Sequence, residues 1–160
     1  MKIKADKHIT QKIDIDIIGV TLLSAEEAEA LPKEIRSIDK YWWLRSPGYF
    51  NYLAMYVRGD GSVDYNGDDV NYDGFGVRPA LEVGYERMCL VNPRLDRGDK
   101  INLAGHTWTV ISGQYILCDD IIGKCAFRTD WKGSDANDYE KSDVKKFLDD
   151  WFEKNIEEAA

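Results

Sequence analysis

Between Tyr49 and Phe75 the chain carries most of the side chains suited to chemistry on a partner. This stretch, YFNYLAMYVRGDGSVDYNGDDVNYDGF, is built from Tyr, Asn, Asp, Gly and Ser around a few apolar positions. Its acids are all Asp and never Glu, and it contains no Lys, Gln or Trp. Tyrosine offers a large, rigid contact face, and Asn, Asp and Ser offer adaptable hydrogen bonds, so the composition is that of a paratope. The candidate ligand-binding residues are Tyr52, Tyr56, Arg58, Asp60, Asp64, Tyr65, Asn66, Asp68, Asp69, Asn71, Tyr72, Asp73 and Phe75. Tyr and Arg supply the energetic anchors of an interface, while Asn and Asp tune its rim. The competing reading is a set of solvated loops with no evolved partner, because the same residue types are common in turns.

Other combinations carry less. Asp64-Tyr65-Asn66-Gly67-Asp68-Asp69 alternates oxygen ligands as a calcium loop does, yet Asp69 stands where the sharp turn needs Gly, and Phe75 where the closing Glu belongs. No metal and no cofactor is assigned. Trp42, Trp43, Arg45 and Arg78 invite comparison with a nucleobase-stacking site. Two Trp inside a predicted strand read better as core, with both arginines tying strands together through carboxylates or carbonyls. His8 and His106 have no Ser or Cys at a catalytic spacing and read as structural. No catalytic residue is assigned, and the chain is expected to be non-enzymatic.

The elements that position the 49–75 stretch follow from periodicity. Tyr41 to Arg45 reads as a buried strand, turned by Ser46-Pro47-Gly48. Leu53, Met55 and Val57 alternate toward one face, expected to be the core side, with Tyr52, Ala54 and Tyr56 on the other. Gly59-Asp60-Gly61 marks a hairpin, Val63 begins the return strand, and Val70 is an isolated apolar position. Val77 to Val83 reads as a strand that Pro79 confines to an edge or an interruption.

Upstream, Ile13, Ile15 and Ile17 alternate with Asp14 and Asp16 as one short strand, and Val20 to Leu23 reads as a second. Ser24-Ala25-Glu26-Glu27 is a capping box opening a helix that Pro32 stops, with a further helical turn from Lys33 to Ile38. Downstream, Gly84 to Gly98, with Asn92-Pro93, is a connector. Lys100–Leu103, Thr107–Ile111 and Tyr115–Cys118 form an antiparallel meander, and Phe127 and Trp131 are expected core anchors. Ser142 caps a helix whose apolar face is Val144, Phe147, Leu148, Trp151, Phe152 and Ile156.

The 160 residues carry a net charge of -8, which argues against nucleic acid or an anionic membrane as partner and leaves a basic partner open. Three cysteines (Cys89, Cys118 and Cys125) without CxxC spacing read as unpaired thiols in a reducing compartment. The opening MKIKADKHITQKIDIDI is too polar for a signal peptide, and no apolar run nears about 18 residues. Cytoplasmic synthesis is expected, with virion association as one route out of the cell.

The pairing of YWWLRSPG (41–48) with GVRPALEV (76–83) around the Tyr/Asn/Asp-rich insert resembles the variable (target) proteins of diversity-generating retroelements and their undiversified phage and bacterial relatives. The resemblance implies an α+β, C-type-lectin-like fold akin to formylglycine-generating enzymes. It implies one domain over 1–160: a helix and variable part over 1–83, a connector over 84–98, and a meander with C-terminal helix over 99–160. The segment from Gly98 onward resembles a part that such proteins place before the capping-box helix, so the order reads as circularly permuted, with a domain-swapped dimer as the other arrangement. Retroelements of this kind mutate adenines, and Asn codons so changed cannot yield Lys, Glu, Gln, Trp or Met. Met55 is the single member of that set between Tyr49 and Phe75. The resemblance implies a phage- or prophage-encoded protein that presents a variable surface to a protein or cell-surface ligand, with a homo-oligomer left open. The alternatives are a structural virion or assembly subunit without a variable ligand, and an enzyme remnant of the formylglycine-generating type.

Overall fold

The computed structural model describes residues 1–7, 11–84 and 95–158, with the side chains of 11–13 outside the description. His8, Cys89, the side chain of Ile13 and the Asn92-Pro93 turn of the expected connector therefore lie outside the described residues. The described chain divides into two compact units, each drawing on separated segments. The first comprises 1–21, 79–120 and 149–160; the second comprises 22–78 and 121–148.

The first unit is a closed six-stranded antiparallel barrel. Its strands are Lys2–Lys7 (β1), Gln11–Thr21 (β2), Ala80–Val83 (β7), Lys100–Leu103 (β8), His106–Val110 (β9) and Tyr115–Cys118 (β10), in the order β1-β2-β7-β10-β9-β8. Alternation puts Ile3, Ala5, Ile15, Ile17, Leu81, Ile101, Trp108 and Ile116 inside. Ala104 and Gly105, both at positive φ, make the two-residue turn between β8 and β9. β2 takes in the first expected N-terminal strand and runs on into the second, ending at Thr21, so that Leu22 and Leu23 lie beyond it. A register shift against β7 between Ile17 and Gly19 changes the inward phase, which is why one strand reads as two in the sequence.

The second unit is a five-stranded sheet with helices. Trp42–Pro47 (β3), Leu53–Val57 (β4), Val63–Asp69 (β5), Gly76–Val77 (β6) and Gly123–Lys124 (β11) pair in the order β11-β6-β3-β4-β5. Helix α1 (Ala25–Glu29) starts at the expected capping box: Ser24 accepts from the Glu27 N–H, and Glu27 accepts from the Ser24 N–H. Helix α2 (Lys33–Arg36) follows Pro32. Helix α3 (Asp143–Phe152), with Ser142 accepting from the Lys145 N–H, continues in a wider turn from Glu153 to Glu157. Its chain passes from the second unit into the first after Leu148. No helix among the described residues is long and apolar enough to cross a membrane.

This architecture overturns the expected α+β, C-type-lectin-like fold, and the permuted order that rested on it. Strand accounts for 37% of residues against 19% for helix, and six strands close on themselves. Closure depends on β1 meeting β8, at Asp6↔Asn102 and Lys7↔Ile101. A pairing between positions so distant in the chain leaves no local periodicity to read.

Candidate functional site

Adjacent residues in a strand point to opposite faces, and both Trp42 and Trp43 are fully buried, so the second unit's sheet is covered on both sides at β3. On one face the Arg78 guanidinium lies 4.8 Å from the Trp42 ring centroid and donates to the Ile35 carbonyl at 2.7 Å; the Trp42 indole donates to the Arg36 carbonyl at 3.2 Å. On the other face the Trp43 indole donates to the Cys125 carbonyl at 2.9 Å, and its ring packs on Phe75 (4.7 Å) and Phe127 (5.7 Å). Arg45 donates to the Leu22 carbonyl at 2.7 Å and pairs with Glu27 at 2.5 Å. The tandem tryptophans and both arginines thus hold the frame together.

The hairpin of β4 and β5 rises from this frame. Its more buried side is not simply the one expected: Ala54 and Tyr56 are buried and Leu53 and Met55 half-buried, while Val57, on the expected side, is fully buried. A period of two fixes which residues share a face without saying which face is inside. Tyr56 is tolerated inside because its hydroxyl donates to Asp64 Oδ2 at 3.0 Å while its ring packs 4.5 Å from Phe75. Asp64 also takes the Arg58 guanidinium and, at 2.9 Å, the Gly67 N–H. Burial and the Asp64 hydrogen bond push the Tyr56 phenol up to about 12. Burial pulls the Asp64 carboxyl upward, but the bonds from Gly67 and Tyr56 and the Arg58 charge outweigh it and leave it below the ordinary carboxylate range.

The predicted site residues therefore separate into two sets. Tyr56 and Phe75 lie beneath the surface, and Arg58 and Asp64 are half-buried and bonded to each other. Asp68 is half-buried, while Tyr52, Asp60, Tyr65, Asn66, Asp69, Asn71, Tyr72 and Asp73 are exposed. Asp60 folds back on its own turn, accepting from the Ser62 N–H and hydroxyl. Val70 is fully buried and pins the hairpin end, its N–H donating to the Tyr52 carbonyl at 2.9 Å.

Three exposed aromatics beside this set were not among the predicted residues. Tyr49 is 75% exposed and Phe50 51%; Phe50 packs edge-on to Tyr49 (4.8 Å) and stacks parallel to Tyr52 (5.6 Å, 5°). Trp131, expected in the core, is 46% exposed, and with Tyr52, Asp69 and Asn71 it lines a cleft of about 220 Å³. The signal was present: Trp131 sits in Thr129-Asp130-Trp131-Lys132-Gly133-Ser134, an otherwise polar and glycine run with no apolar neighbour within three residues on either side. Phe127, the other expected anchor, is fully buried.

The remaining chemistry is sparse. Among the described residues no three His, Cys, Asp or Glu side chains converge on a point able to hold a metal ion. Burial and the Asp143 carboxylate push the Cys125 thiol up to about 11, away from the thiolate that cysteine catalysis needs. In the first unit a wider cleft of about 500 Å³ runs past Lys4, Asp6 and the β8–β9 turn to His106. Lys4 there is paired with Asp14 and Asn102 with Thr107, and the His106 ring lies 6.2 Å from Trp151, so no reactive pair is assembled.

Residues 20–84 match the family model described as Domain of unknown function (DUF6273). The match takes in the capping box, the tandem tryptophans and the whole 49–75 stretch; Trp131 lies outside it. No curated protein matches the chain, and no solved structure does.

Proposed function

We propose that this chain is a non-enzymatic ligand-binding protein, encoded in a phage or prophage setting. It presents the outward side chains of residues 49–75, with Trp131 beside them, to a protein or cell-surface ligand. One observation carries the reading. Among the described residues nine large apolar side chains are exposed, and seven of them are aromatic: Tyr41, Tyr49, Phe50, Tyr52, Tyr65, Tyr72 and Trp131. All seven belong to the second unit. Tyr49, Phe50 and Tyr52 pack on one another and Trp131 shares a cleft with Tyr52; exposed aromatics gathered in this way are the composition of an interaction site, since leaving them in water without a partner forgoes their burial.

The backbone beneath them is pinned, so little ordering entropy is lost on binding. Tyr49 N–H donates to the Asn66 carbonyl at 2.9 Å, and the Asn137 amide donates to the Phe50 and Leu53 carbonyls at 3.1 Å each. The resemblance to retroelement variable proteins supplies the genetic side of the proposal and its test. Sequencing the locus in several isolates is expected to find substitutions confined to codons 49–75 and sparing Tyr56, Val70 and Phe75. A near-copy of the codons for 45–80 is expected beside a reverse transcriptase gene. Substitutions scattered evenly over the chain would instead make it a plain structural subunit.

A further inference from the structure

We propose that the cleft between Tyr52 and Trp131 is a cation anchor that takes one arginine or lysine side chain from a basic segment of the partner protein. The inference rests on the recognition reading above and names the chemistry of the group that enters. The cleft, at about 220 Å³, is smaller than the roughly 300–1,000 Å³ of pockets that enclose whole small molecules, so it suits a single side chain. Two aromatic rings and a carboxylate line it, and a guanidinium or ammonium gains from both, through the ring faces and through the ion pair.

Charge decides between a cation and a neutral ligand. The 49–75 stretch holds five aspartates against one basic residue, Arg58, and Arg58 is already bound to Asp64. Among the described residues the Asp69 carboxylate accepts no hydrogen bond and enters no ion pair, and the Asn71 amide is likewise unengaged. Asp130 and Lys132 flank Trp131 and offset one another. Arg128, on the same segment, is turned to Asp135, donating to its carbonyl at 3.0 Å. A partner cation therefore meets an uncompensated carboxylate.

The walls are held before anything binds. The Tyr52 carbonyl accepts from Val70, and the Val70 carbonyl accepts from the Arg128 N–H at 2.8 Å, which ties the Trp131 segment to the hairpin end. Phe50 stacks on Tyr52, and the Asn137 amide holds the turn that carries both. Backbone fixed in advance on both walls reduces the ordering cost of taking up a cation.

The test is a side-chain NMR titration of the full chain, following the Trp131 indole N–H. The probe is a blocked tetra-arginine peptide, with its tetra-citrulline counterpart and methyl glucoside as comparisons. The arginine peptide is expected to shift the Trp131 signal saturably and more weakly as salt rises, and the citrulline peptide to leave it unmoved. Asp69→Asn, with unchanged thermal stability, is expected to weaken binding about tenfold, as loss of a charge-assisted pair does. Trp131→Ala, followed through the Asn71 side-chain amide of the same cleft, is expected to abolish it. Equal response to arginine and citrulline, saturable binding of methyl glucoside instead, or no effect of Asp69→Asn would each overturn the anchor. None of these outcomes bears on the recognition reading, which the substitution pattern at the locus decides separately.

Discussion

The Tyr56 hydroxyl donates to the Asp64 carboxylate at 3.0 Å across the ladder in which those two residues are partners, so a tyrosine supports from below a surface made largely of other tyrosines. Removing the hydroxyl in Tyr56→Phe is expected to cost about 1.5–3 kcal/mol, the value of a hydrogen bond to a charged group. An alkaline absorbance titration checks the same relationship. Because the folded phenol is raised, its contribution to stability is complete below the free value of about 10 and fades as pH climbs toward about 12. The substitution is expected to delete the highest of the tyrosine steps.

Acid acts through the other partner. Asp64 is depressed in the folded chain, so its stabilisation is present above the free carboxyl value of about 3.9 and disappears as pH falls below it. Glu27 behaves alike: burial raises it, and the Arg45 and Ser24 contacts more than reverse that. The melting temperature of Asp64→Asn is expected to fall less steeply with acid than that of the parent chain. Parallel melting curves from pH 5 to pH 2 check this.

Inside and outside differ in cost. Trp43→Ala removes a fully buried indole and its bond to the Cys125 carbonyl, for an expected loss of about 3–5 kcal/mol. Tyr65→Ala, at a half-exposed ring, is expected to change stability by less than about 0.5 kcal/mol. Tyr72→Ala falls between, at about 1 kcal/mol, because that exposed ring still packs edge-on to Phe75 at 4.8 Å. Urea unfolding of the three variants orders them.

Gly67 limits what can vary. It sits at φ +93, and a Cβ there would stand 2.6 Å from the Ala54 carbonyl oxygen. Gly67→Ala is expected to cost about 2–4 kcal/mol through backbone strain and clash. Denaturant midpoints measure this directly, and glycine at this codon in every isolate is the natural counterpart.

Thiol chemistry separates the recognition reading from an enzyme of the formylglycine-generating type. With its thiol pushed up to about 11, Cys125 is expected to alkylate slowly at pH 7 and faster only in strong alkali. Iodoacetamide labelling across pH, read by mass spectrometry, gives the profile.

Local features were legible before any coordinates. The capping box at Ser24 and Glu27, the hairpin at Gly59-Asp60-Gly61 and the meander from Lys100 to Cys118 all follow from side-chain chemistry within a few positions. Barrel closure was not legible, since Asp6 and Asn102 carry no mark of each other. The candidate site was read in part: Tyr52, Asp69 and Asn71 come from the stretch that composition picked out, and Trp131 was lost because a lone indole was credited to the core by its type. Tyr56 was misplaced for the opposite reason. Its burial depends on a hydrogen bond donated to Asp64, and that bond depends on a register set by the turn between them.

Trp131 and Tyr52 reach the cleft from opposite sides of the matched segment's boundary. A relative that inherits residues 20–84 and replaces the stretch corresponding to 121–148 would keep one ring and lose the other. Transplanting the matched segment alone into another scaffold would, by the same logic, move the aspartate without its second aromatic wall. Ligand preference would then change between chains whose Tyr/Asn/Asp segments are letter-for-letter the same.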